Sequence, residues 1–213
     1  MIDNRITKAR LGNHFHYCWW KYLLAAAVSV LGVSLLFDMT QYRPPAEKST
    51  DFYVVSGYVQ QEALEQDLWP VLKARCPEQE ALNIVNINLT AEDAYSRMQY
   101  ATYLGAGQGN LLLMSRREYA HMLESSDAPD VFADLTPYIG AGFLSVEGLE
   151  LSAYRATDDQ GREGLYAVPA DGLAGLEAFS CDPKNTVFTV LQNRKNMDTA
   201  AILIGLMQER YKR

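Results

Sequence analysis

Leu82 to Ser115 reads LNIVNINLTAEDAYSRMQYATYLGAGQGNLLLMS, and the order of patterns within it sets the fold class. Val85, Ile87 and Leu89 alternate with Asn86 and Asn88, the period of a strand with one apolar face. Thr90 then caps a helix and Asp93 places negative charge in its first turn. That helix runs to about Leu104 and stops at Gly105-Ala106-Gly107-Gln108-Gly109, where glycine tolerates positive φ. Asn110 to Ser115 (NLLLMS) is short and apolar, as a buried strand should be. Strand, helix and strand in this order form a parallel crossover unit.

Working outward, the same alternation of element types continues. Phe52 to Val59 (FYVVSGYV) is β-branched and aromatic, which suits a strand. Leu64, Leu68 and Leu72 recur every four residues and mark one face of a helix ending near Cys76-Pro77, with Pro70 implying a kink or a late restart. Ser115 caps a further helix through Tyr119 and Met122-Leu123. These elements predict an α/β fold, a three-layer α/β sandwich around a mostly parallel sheet. Toward the C-terminus, Leu151 to Thr157 and Gly164 to Val168 flank a polar turn, 158–162, and read as a hairpin. Val187 to Gln192 is another strand, and 193–196 turns the chain. A last helix begins near Asp198 and buries Ala200, Leu203, Ile204, Met207 and Tyr211.

At the other end of the chain, Trp19 to Phe37 reads WWKYLLAAAVSVLGVSLLF, with Lys21 its only charge. As a helix it reaches roughly 28 Å, the hydrocarbon thickness of a bilayer. Its nine Leu, Val and Phe residues from Leu23 onward supply roughly −3 to −5 kcal/mol toward insertion. Trp19, Trp20 and Tyr22 sit where an interfacial aromatic belt belongs, and Lys21 can snorkel to the headgroups. Ahead of the apolar core, Arg5, Lys8, Arg10 and Lys21 oppose one acid, Asp3, a net of +3. From Asp38 onward, 15 basic residues oppose 25 acidic ones, a net of −10. Short positive flanks stay in the cytoplasm, so the acidic portion is expected outside the cell membrane. A cleaved signal peptide shares the charged start and apolar middle, but wants small residues at a cleavage site. Leu36-Phe37-Asp38-Met39-Thr40 offers none, which favours a retained anchor.

The expected organisation is a cytoplasmic tail (1–18), a transmembrane helix (19–37), an extended linker (38–51) and an extracytoplasmic α/β domain (52–213). Pro44 and Pro45 favour extended backbone in that linker.

Four short segments resemble, in chain order, the two-lobed solute-binding proteins of the type 2 periplasmic binding protein class, which serve bacterial ABC importers. Tyr95 to Ser115 resembles that family's helix, glycine turn and third strand. Phe132-Ala133-Asp134-Leu135-Thr136-Pro137-Tyr138-Ile139 resembles its DLTPYI element, and Gly164-Leu165-Tyr166-Ala167-Val168-Pro169 resembles its YGVP strand. Gln192-Asn193-Arg194-Lys195-Asn196, followed by Ala200-Ala201, resembles its NSKN turn and the helix behind it. The departures are informative. Such receptors run about twice as long, whereas only Ala170 to Val187 follows the YGVP-like strand before the next one. Asn110 stands where the family places Asp, and Cys18 lies ahead of the apolar core, so no lipoprotein box precedes the domain. The resemblance implies one lobe of a hinged trap, held at the membrane by a helix.

No residue pattern demands catalysis. His121, the sole histidine beyond the apolar stretch, lacks the partners of a zinc site or a serine hydrolase. Asp158-Asp159 reads as a solvated turn, 105–109 as a helix stop lacking the Lys-Ser/Thr of a P-loop, and Asn88-Leu89-Thr90 as an accidental glycosylation match. The charge of the domain disfavours nucleic acid. No metal or cofactor is expected. Tyr53, Tyr58, Tyr138 and Tyr166, near strand ends, are the candidates for ligand or partner contact, or else core and rim packing. Cys76 and Cys181 are either a disulfide or two buried thiols. Cys18 is either packed or acylated, with packing favoured. The expected function is a membrane-anchored binding or accessory module that docks a membrane or extracytoplasmic protein or senses a weak ligand. A structural subunit of a membrane complex, or an enzyme with an unrecognised site, is the alternative.

Overall fold

The computed structural model describes residues 8–89, 94–124, 126–192 and 194–212. Thr90 and Asp93, the expected cap and first-turn acid, and Asn193 of the expected turn lie outside these. Two units are distinct, Met1–Arg43 and Pro44–Arg213. In the first, α1 spans Lys8–Thr40, 33 residues. Every residue from Trp19 to Thr40 is exposed, and His16–Thr40 is long and apolar enough to cross a membrane. A helix apolar on all sides has no polar face to offer water. The protein thus carries one N-terminal apolar helix compatible with a membrane anchor or a signal sequence.

The second unit is a mixed α/β structure. It contains β1 (Ser49–Val54), α2 (Gln61–Arg75), β2 (Ala81–Asn86), α3 (Ala94–Gly105), β3 (Leu111–Ser115) and α4 (Arg116–Met122). There follow α5 (Ala128–Val131), α6 (Thr136–Gly140), β4 (Arg155–Thr157), β5 (Glu163–Leu165), β6 (Val168–Pro169), β7 (Thr186–Val190) and α7 (Met197–Tyr211). Among the described residues the main sheet has the order β2-β1-β3-β7-β6, and β4 and β5 make a separate antiparallel pair. The β2-β1-β3 portion is parallel, as the crossover reading requires.

β7 departs from the mostly parallel sheet expected. It runs antiparallel to both β3 and β6. Its five residues are all buried, so its composition reads the same in either direction. β1 also opens at Ser49, within the stretch expected to be linker, because Ser49, Thr50 and Asp51 pair in register with Ala81, Leu82 and Asn83. Their polar side chains hid the strand. Residues 38–40, likewise expected as linker, complete α1.

Packing follows the apolar periodicities. Leu64, Leu68 and Leu72 are fully buried on α2, and α2 continues through Pro70 to Arg75 as one helix. Phe52 and Phe188 approach with ring centroids 6.2 Å apart. On α7, Leu203, Ile204 and Met207 are fully buried. Each such side chain contributes about 1.5–3 kcal/mol relative to exposure. The Ser115 hydroxyl accepts from the Glu118 amide at 3.1 Å, the expected cap of α4.

Candidate functional site

The ends of the parallel strands differ in chemistry. Where β1, β2 and β3 begin, polar side chains are buried and paired with one another. Gln79, just before β2, is 4 % exposed, and its carbonyl accepts from Asn196 Nδ2 at 2.8 Å and Thr50 Oγ1 at 3.2 Å. Its amide nitrogen donates to Asn196 Oδ1 at 3.1 Å and Thr199 Oγ1 at 3.3 Å. Asn196 donates further to the Ser49 carbonyl and Thr50 Oγ1, both at 3.0 Å. Asn196 sits at φ 71, a left-handed conformation that Asn tolerates better than most residues. Asn110, before β3, accepts from the Asp51 amide at 2.9 Å and donates to the Lys195 carbonyl. The 194–196 turn is thereby tied to the first residues of β1 and β3. All of these groups are occupied by one another, so this end is structural.

At the carboxyl ends of β1 and β2 the chain leaves an open groove of about 370 Å³, lined by Tyr58, Gln60, Gln61, Glu62, Ala63 and Asn86. The Asn86 side chain donates to the Val54 and Gly57 carbonyls and holds the β1–α2 turn in shape. The Gln60 backbone N–H donates to the Phe179 carbonyl at 2.9 Å and its side-chain amide to Ser180 Oγ at 3.0 Å, anchoring the start of α2. The groove presents a phenol, three primary amides and one carboxylate. That chemistry suits hydrogen bonding to a polar surface more than enclosure of an apolar molecule. A second depression, about 380 Å³, lies between 142–145 and the end of α7. There Gln208 exchanges two hydrogen bonds with the backbone of Ser145 at 3.0 and 2.9 Å, which stitches the loop down.

The four tyrosines separate. Tyr53 is buried and stacks on Tyr103 of α3, centroids 5.5 Å apart. Gly109 closes over it: a Cβ there would meet the Tyr53 ring at 2.6 Å. Tyr166 is also buried. Tyr138 is half-buried and its hydroxyl donates to Asp198 at 2.5 Å. Burial, reinforced by that carboxylate, holds the phenol well above its ordinary pKa. Tyr58 alone is exposed, at 63 %, and it is the one that lines the strand-end groove. Cys76 and Cys181 are free thiols. Cys181 is buried in the core, which pushes its thiol up to about 12. Cys76 is half-buried, and desolvation raises it too.

His121 faces Glu124 at 3.0 Å on the α4 surface. Asp158 closes its own turn, accepting from the Gln160 and Arg162 amides at 2.9 Å. Hydrogen bonds from Arg162 hold that carboxyl below the usual range. Gly107 and Gly109 adopt positive φ just past α3. Among the described residues no group of three or more His, Cys, Asp or Glu is placed to hold a metal ion. The groove residues Gln60, Gln61, Glu62 and Asn86 carried no sequence signal beyond their position at strand ends. Gln79 carried none, since its partners lie 29 and more than 100 residues away. Compared with known proteins, the chain matches no family model, and no curated protein matches its sequence.

Proposed function

We propose that this protein is a membrane-anchored binding or accessory module, held by His16–Thr40 and working through its α/β unit on the far side of the membrane. The observation that carries the reading is the pairing of a fully exposed apolar helix with a separate α/β unit that opens a polar groove at its strand ends. In open α/β sheets, ligands and partners settle at the carboxyl ends of parallel strands. The positive flank before the span, against the acidic unit after it, supports a cytoplasmic N-terminus.

The architecture we infer is a three-layer sandwich equivalent to one lobe of a solute-binding protein. Tyr53 stacks on α3, whereas its neighbours Phe52 and Val54 point to the opposite face by the strand period, and α7 contacts β1, β3 and β7. A single lobe has no second wall to close on a solute, so the groove serves a protein surface or a weakly held polar ligand. No catalytic step is assigned to it.

The test is purification of the full-length protein from its own membrane in mild detergent. A stoichiometric partner that is lost with Tyr58→Ser plus Glu62→Lys, and kept with Gln160→Lys in the β4–β5 turn, is the expected result. Retention in the groove variant overturns the assignment of the surface. Absence of both a partner and any ligand-induced thermal shift in the wild type overturns the binding role. Topology is read separately with Gln160→Cys in a background lacking the native cysteines. A membrane-impermeant thiol reagent should label it in intact cells, and protection until lysis reverses the orientation.

A further inference from the structure

α1 is longer than the apolar stretch it contains. Its 33 residues extend roughly 50 Å, against the roughly 28 Å that Trp19 to Phe37 requires. Residues 8–18 therefore continue as helix for about 16 Å beyond the apolar stretch, through a headgroup region roughly 5–8 Å deep and into the water above it. This portion carries Lys8 and Arg10, and Lys21 follows one turn inside it; no acid occurs between Asp3 and Asp38. Arg10, His14, Tyr17 and Lys21 are spaced four, three and four residues apart, so one face of the helix receives all four positions. Among the described residues no ion pair engages Lys8 or Lys21, and both are exposed. Trp19 and Trp20, edge to face at 5.9 Å, mark the interfacial depth directly after this basic segment.

We propose that the Lys8–Lys21 segment of α1 binds the phosphate groups of anionic phospholipids and gathers them around the anchor. This rests on the membrane-anchor reading. The argument is charge complementarity at a fixed depth. A rigid helix continuous with the span holds its cations in the headgroup layer or within about a Debye length above it, and no carboxylate in the segment competes with lipid phosphate. Lys21 reaches the layer from below on the face shared with position 10, while Lys8, roughly 20 Å along and on the opposite face, adds its charge to the field above the layer.

Full-length protein, with Trp69→Phe removing the third tryptophan, is reconstituted in vesicles of equal parts phosphatidylcholine and phosphatidylglycerol. One preparation carries brominated acyl chains on the neutral lipid and the other on the anionic lipid, and quenching of Trp19 and Trp20 reports which lipid is adjacent. The expected result is quenching by both, with the anionic lipid enriched roughly threefold or more over its share. High salt and the combined variant Lys8→Gln, Arg10→Gln, Lys21→Gln should each bring the ratio back toward one. Equal quenching in the wild type, or a preference unchanged in the triple variant, overturns the inference and leaves the anchor intact. Loss of quenching by both lipids overturns the anchor itself.

Discussion

The two ends of the parallel strands are built from the same kinds of residue and do opposite things. Where β1, β2 and β3 begin, Thr50, Gln79, Asn110 and Thr199 are all buried, with Asn196 half-buried among them, and the amides are bound to one another or to backbone. Where β1 and β2 end, Gln60, Gln61 and Asn86 border an open groove. A primary amide carries two donors and two acceptor sites. Buried, these must be matched inside the protein, since an orphaned group costs about 1–3 kcal/mol. In the groove Asn86 donates to the Val54 and Gly57 carbonyls and Gln60 to Ser180 Oγ, while water matches the sites left over, and a partner can replace that water at little cost. The closed end therefore contributes stability, and the open end is the surface we propose for recognition.

Substitutions at and between the two ends test that division. Gln79→Leu should have the largest effect, about 3 kcal/mol of lost stability in urea unfolding with an unchanged m value. It leaves the buried Thr50 hydroxyl without its acceptor and takes one partner from each end of the Asn196 amide and one from the Thr199 hydroxyl. A loss below about 1 kcal/mol would mean that water enters this end and that it is not closed. Asn196→Ala should follow at about 2 kcal/mol, combining lost hydrogen bonds with left-handed backbone that alanine resists. Asn196→Gly separates the two contributions, because glycine accepts the backbone and forfeits only the bonds. Recovery of about 1 kcal/mol relative to alanine is the expected difference in midpoint.

Between the ends, Asp67 of α2 takes two hydrogen bonds from Arg210 at 2.7 and 2.6 Å and one from Tyr211 at 2.6 Å. The Arg210 hydrogen bonds hold its carboxyl below the ordinary value. A depressed carboxyl contributes stability that is present above its unfolded pKa, about 4, and is lost as pH falls through the folded value. Asp67→Asn should cost at most about 1 kcal/mol near neutrality, because both partners are partly solvated. The difference from wild type should shrink below about pH 4; a constant difference down to strong acid would remove the charge from the explanation. Tyr58→Ser, at the open end, should change stability by less than about 0.5 kcal/mol while weakening partner capture. A larger loss would make Tyr58 part of the core and dissolve the contrast.

How much could be read beforehand depended on the range of the interactions involved. The crossover order of β1, α2, β2, α3 and β3 follows from local periodicity, and so does the buried face of α7 from Ala200 to Tyr211. The Ser115 cap is a three-residue interaction and equally local. The direction of β7 is not, because a strand buried on both faces reads alike from either end. Alternation along β1 and past it separates Tyr53, in the core, from Tyr58, in the groove, but both look like strand aromatics in the sequence. Position near a strand end did single out Tyr58, and gave no reason to choose Gln61 or Asn86 beside it.

From its sequence this protein already has one helix too apolar for water and an α/β chain order, since both follow from patterns within one or two turns of the backbone. Which end of the sheet is sealed and which is open was decided only in three dimensions. Gln79 meets Asn196 across 117 residues, and a hydrogen bond between partners that distant leaves no period in the sequence. The same amide reads identically whether its partner is another amide or water, and only the tertiary structure supplies the partner.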